Sequence, residues 1–173
     1  MDNTRAVLRH YLAALAYRTQ KALRGAPANF GSFRAATDVR TPSELVRHMT
    51  SVLGYARTCV VGGAYRPEPL PTLDAEIVRF HEMLESLSRH LRDDSPLLEG
   101  MTWERLLQGP FADAMTHAGQ LAMLRRLAGT AVPPENFLAA RISPERLGPD
   151  QPEPADPDRI WDEAPAGWTP PAR

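Results

Sequence analysis

The chain has 173 residues, 43% apolar and 24% charged, which places it among folded single-domain proteins and excludes a disordered chain. Twenty basic residues against 21 acidic ones leave a net charge of −1, so no overall basic surface points to nucleic acid. A single cysteine, Cys59, excludes an internal disulfide and a cysteine-rich zinc site, and no apolar run approaches membrane-spanning length.

The first predicted helix runs from Thr4 to Arg24, with Leu8, Tyr11, Leu12, Leu15, Thr19, Ala22 and Leu23 on one face. Gly25 and Pro27 stop it, and a loop over 26–40 carries Phe30 and Phe33 around Gly31. The second helix has the clearest start in the sequence. Thr41-Pro42-Ser43-Glu44 supplies an N-cap threonine, a proline at the first helical position and a glutamate at the third. Its apolar positions, Leu45, Met49, Val52, Ala56, Cys59 and Val60, continue to Gly62-Gly63. The proline-rich linker 65–71 is stiff and extended. It leads into a third helix whose seam, Leu73, Ile77, Phe80, Leu84, Leu87 and Leu91, has the spacing of a bundle. A short turn over 103–107 precedes a fourth helix from Pro110 to Gly129. The expected fold is all-α, a four-helix bundle over residues 1–129.

From Thr130 the helical period fails. Seventeen prolines are about twice the usual share of roughly 5%, and ten of them fall in residues 130–173. The same segment holds eight acidic and four basic residues, yet keeps Phe137, Leu138, Ile142, Leu147, Ile160, Trp161 and Trp168. These side chains predict an extended, proline-rich arm pinned against the bundle or against a second subunit.

The candidate chemistry lies on two helices. His48 follows Leu45 by three residues and precedes Val52 by four, which puts an imidazole on the buried stripe of the second helix. Asp113 and His117 are four apart and share the inward face of Ala114, Leu121 and Leu124. Inward-projecting histidines and carboxylates on facing helices are how bundles build metal sites, and so small a ligand set leaves coordination positions open. The same residues also have plain structural readings. A histidine on an apolar stripe can be a hydrogen-bonded core residue, and Asp113 suits the positive end of its helix. Glu44, one turn before His48, could be a fourth ligand, but the capping box accounts for it. Tyr55, about 10 Å along the axis from His48, could line a pocket above the site; Cys59, about 16 Å away, cannot share an ion with it. Gln120, three residues beyond His117, could orient a ligand or make an ordinary interhelical hydrogen bond. Gly119, costly inside a helix, suggests a close helix contact. Arg125 and Arg126 suit the negative end of their helix. His10, His81 and His90 flank their seams and are expected to be solvated or half-buried.

The stretch Thr41-Pro-Ser-Glu-Leu-Val-Arg-His48-Met resembles the second helix of the DinB/YfiT-like superfamily. The stretch from Asp113 through His117-Ala-Gly119-Gln120 to Gly129 resembles that family's His-x-Gly-Gln helix. The resemblance covers about residues 1–129. It implies a four-helix bundle, commonly a homodimer, that binds a divalent ion through one histidine of the second helix and two of the later one. By that match His48 and His117 are ligands, and Asp113 takes the place of the third histidine. An oxygen donor there moves preference from zinc toward nickel, manganese or iron without deciding among them.

The resemblance further implies a metal-dependent transferase in which the ion ionises a low-molecular-weight thiol, such as bacillithiol or mycothiol, for attack on an electrophile in the bundle mouth. A hydrolase using activated water is open at the same site. The alternative is a non-catalytic, stress-related binding or dimerisation module, which the replacement by Asp113 favours. Neither nucleic acid nor membrane is an expected partner. The lone cysteine and an N-terminus without a signal-peptide pattern suggest the cytoplasm.

Overall fold

The computed structural model describes residues 3–157 together with Ala164, Ala166, Gly167 and Thr169. Four long helices, α1 (Asn3–Leu23), α2 (Pro42–Val61), α3 (Leu73–Arg92) and α5 (Ala112–Leu127), form the bundle, with a single turn, α4 (Trp103–Leu106), before the last. Among the described residues there is no strand, only an isolated antiparallel bridge between Glu135 and Pro157. Among the described residues, no helix is long and apolar enough to cross a membrane.

Local chemistry accounts for the helix ends. In α2 the Thr41 hydroxyl accepts from the Glu44 N–H at 3.3 Å, and the Glu44 carboxylate accepts from the Thr41 N–H at 2.7 Å, so two otherwise unpaired donors are satisfied reciprocally. Thr72 caps α3 by accepting from the Ala75 N–H. The helix that carries α5 begins at a break: Gly109 is non-helical, and Pro110, which needs no hydrogen-bond acceptor, follows it. At its other end Gly129 adopts φ 74°, Gly129 N–H donates to Arg126 O, and Thr130 N–H to Arg125 O, the paired closure in which glycine avoids a side-chain clash.

Packing follows the predicted faces. α1 and α2 each contact both α3 and α5, so the four helices close a ring around Leu12, Leu15, Met49, Leu53, Phe80, Leu84, Phe111 and Leu121. The α3 seam is buried from Phe80 through Leu91. In α2 the buried stripe centres on Met49, Leu53 and Ala56, which leaves His48 at its edge rather than within it. Gly54 allows one close approach: a Cβ there would lie 2.0 Å from the ring of Tyr65, so the 65–71 linker seats its first aromatic in the helix surface.

The arm lies on the bundle of the same chain as far as Pro157. The Tyr17 hydroxyl donates to Glu135, Lys21 to the Pro133 carbonyl, and Arg9 pairs with Glu145 at 2.6 Å. Arg24 donates to the Gln151 carbonyl at 2.6 Å. Phe137 meets Tyr17 edge-on, with Arg18 stacked 3.9 Å from its ring. These contacts bury α1 on two sides, including Arg9, Tyr17 and Gln20, which the single predicted face leaves out.

Several expectations need correction. Leu138 is 95% exposed and pins nothing. Ile142 and Leu147 pack on the core, whereas Ile160, Trp161 and Trp168 lie outside the described residues. His81 is not solvated or half-buried but fully buried, at 2% exposure, because the arm crosses α3 and the Leu147 carbonyl meets its Nδ1 at 2.5 Å. His10 is exposed and His90 half-buried. Gly119 is exposed with open space where a Cβ would stand, so it marks no close helix contact. Arg125 is buried and donates to the carbonyls of Ala22, Arg24 and Gly25, placing its positive charge on the C-terminal end of α1 and leaving it unavailable to a substrate.

Candidate metal centre

α2 and α5 run side by side, and their facing flanks bring three sequence-predicted residues together. The capping box sets the start of α2 and places His48 near the end of its second turn. Asp113 and His117 sit one turn apart near the start of α5. One donor atom from each residue lies within 4.8 Å of the others. His117 Nε2 stands 3.3 Å from one Asp113 oxygen, and His48 Nε2 stands 3.8 Å from the other. The imidazoles meet edge to face, with ring centres 4.8 Å apart. Two donors bound tetrahedrally at about 2.1 Å are about 3.4 Å apart. The group therefore matches one divalent ion after its donor separations close by between a few tenths of an ångström and about 1.4 Å.

Hydrogen bonding settles how His117 is presented. Its Nδ1 lies 2.7 Å from the side-chain amide oxygen of Gln120, so Nδ1–H is the donor and Nε2 is turned toward Asp113. That Nε2 is buried without a hydrogen-bond partner, and the group it faces is a carboxylate. Two acceptors at 3.3 Å repel unless a proton or a cation lies between them. Fixing the ring by a hydrogen bond on its far nitrogen is the usual support for a metal-binding imidazole. The donor set of two nitrogens and one carboxylate oxygen suits a borderline divalent cation.

The site is graded in exposure. The His117 side chain is 9% exposed, that of His48 31%, and that of Asp113 45%, so solvent and small solutes reach the carboxylate side. Burial, the Arg40 guanidinium and the neighbouring His117 push His48 below its ordinary pKa, while Asp113 pulls it upward. The net effect favours the neutral, ligating form.

The remaining candidates fall around this centre rather than in it. Glu44 is occupied by the cap and by Arg34, at 3.1 and 3.2 Å, and is not among the three clustered donors. Backbone and Arg34 contacts hold its carboxyl below the usual range. Tyr55 lines a cleft that also includes Val52, Pro110 and Asp113, beside the centre. Cys59 is buried on the core side of α2 and its thiol is pushed up by burial. Sequence reasoning passes over Arg40, Arg47 and Arg66, which share a second cleft with His48. The adjacency of Arg47 to His48 is the one local signal of it.

The fold and the site thus define an all-helical bundle with a His–Asp–His group able to hold a metal ion. No protein-family model, no curated protein and no solved structure matches this chain.

Proposed function

We propose that the protein is a metal-dependent enzyme of the DinB/YfiT-like kind, with His48, Asp113 and His117 holding a divalent ion. The observation that carries this reading is the buried, unpartnered Nε2 of His117 aimed at a carboxylate. An ion held there supplies Lewis acidity that lowers the pKa of a thiol or a water molecule. Gln120 engages Nδ1 of His117 and so leaves Nε2 for the ion, and the half-exposed Asp113 faces the open side where a substrate enters. The resemblance to the superfamily favours transfer to a low-molecular-weight thiol, with the electrophile lodged in the cleft beside Tyr55. The chain's own cysteine takes no part, since it is buried away from the centre.

The test is metal analysis of the purified full chain after reconstitution with nickel, zinc, manganese or iron, beside His117→Ala and Asp113→Ala variants. The wild type is expected to hold one ion per chain and each variant to lose stoichiometric binding. A wild type that stays empty with every metal would overturn the enzyme reading and leave a non-catalytic binding or dimerisation module, the reading the aspartate substitution favours.

A further inference from the structure

Two clefts flank the metal centre, and their linings are chemically unlike. One is walled by Val52, Tyr55 and Pro110 and reaches Asp113. The other runs between α2, the 37–40 loop and the 65–71 linker and reaches His48. Ser51, one turn beyond His48, lines both, so they adjoin along α2 beside the centre.

The second cleft is rich in arginine. Arg34 is engaged, with Glu44 and the Val39 carbonyl as its acceptors. Arg40, Arg47 and Arg66 line the same cleft and make no hydrogen bond or ion pair with any described residue. Asp38 and Glu68 also line it, yet neither is paired with these arginines. Among the described residues, three unpaired guanidinium groups against two unpaired carboxylates leave a positive excess on the wall next to His48. A guanidinium presents donors in a planar fork that matches carboxylate or phosphate oxygens. The wall is also held in place, because the Tyr65 ring is seated against Gly54, Arg79 donates to the Glu68 carbonyl, and the buried Glu76 accepts from the Leu70 N–H.

We propose that the substrate of this centre is a small anion with an apolar or aromatic portion. Its carboxylate or phosphate is held by Arg40, Arg47 and Arg66, and its apolar portion lies along Val52, Tyr55 and Pro110. This rests on the metal-centre reading for where the reacting group sits, but the arginine cleft can be tested separately.

The experiment is calorimetric titration of the full chain, with and without bound nickel, using benzoate, phenyl phosphate and uncharged benzamide as probes. The wild type is expected to bind one or both anions, to ignore benzamide, and to weaken severalfold between 50 and 200 mM salt, the signature of an exposed charge contact. An Arg47→Gln/Arg66→Gln variant, checked for unchanged helicity and ion content, should lose about tenfold or more in anion affinity. Preference for phenyl phosphate or for benzoate identifies the anion as phosphate or carboxylate, and either supports the proposal. Equal binding of benzamide, anion affinity indifferent to the arginine substitutions, or no binding of any probe overturns it. Arginine-dependent anion binding by a chain that takes up no metal would support the cleft and overturn the metal centre, so the two failures are distinct.

Discussion

Two buried imidazoles, on opposite flanks of the bundle, look alike until their surroundings are compared. His81 on α3 and His117 on α5 each have Nδ1 at a carbonyl oxygen and Nε2 buried without a partner. Around His81 the neighbours are the Phe80 ring and the Leu147 carbonyl of the arm, and burial pushes its pKa down from 6.5 to about 4. Around His117 they are a carboxylate and a second imidazole. The covered flank uses a histidine to fasten a segment of chain; the open flank gathers donors where solvent can reach. Burial and a lone hydrogen bond do not separate the two roles, but the charge facing the free nitrogen does.

Exchanging the two histidines for alanine, one at a time, should therefore give crossed results. His117→Ala is expected to abolish stoichiometric ion binding and to cost the metal-free chain less stability than the same change at His81, since the Gln120 amide it leaves is exposed to solvent. His81→Ala should keep the ion and lose about 2–4 kcal/mol of stability, because it opens a cavity and orphans the Leu147 carbonyl. Metal content and denaturant unfolding, measured on both variants, check this. If His81→Ala also emptied the centre, the division between flanks would be wrong.

Proton linkage probes the covered flank next. The folded state holds His81 neutral down to about pH 4, whereas the unfolded chain takes up the proton near pH 6.5. Its stabilising contribution is complete above about pH 6.5 and falls as pH drops toward 4, by at most about 3 kcal/mol. Unfolding at pH 7 and at pH 5 should show a smaller loss for a His81→Leu variant than for the wild type.

The smallest effects come from the helix glycines, which repeat the contrast of covered and open sites. Gly54→Ala forces a methyl into the Tyr65 ring and should cost about 1–3 kcal/mol. Gly119→Ala meets open space and should stabilise α5 by up to about 1 kcal/mol. Thermal unfolding of the pair, with opposite signs expected, distinguishes them.

Much of this was legible in the residues, and the gaps have a common cause. The Thr41–Glu44 box, the α3 seam and the spacing of Asp113 and His117 are short-range signals, so they predict helix starts and shared faces directly. What they do not carry is which outer face receives an irregular segment. The arm covers α1 and α3 through hydrogen bonds and scattered side chains that have no period, so the burial of His81, Tyr17 and Arg9 has no local mark. Arg125 shows the same limit. Its place in the last turn of α5 suggests service to its own helix end, which Nε gives by donating to Thr130, but nothing local shows that the rest of the guanidinium reaches the end of α1, about a hundred residues away in sequence. The clustering of His48 with α5 falls between these cases: the inward face of His117 was readable, whereas His48 at the edge of its stripe, the half-exposed Asp113 and the distance between the helices belong to the packing.

The linker between α2 and α3 carries a mechanical consequence. It has no helix or strand of its own, yet it is clamped by a ring in a glycine notch, by an arginine on a carbonyl and by a buried carboxylate on an N–H. A segment fastened at three points behaves as a strut, not a tether. The position of the linker wall formed by Arg66, Pro67 and Glu68, and with it the width of the mouth beside His48, is thus set by a brace lodged in the side of α2, and altering one glycine there would resize an opening that the glycine never touches.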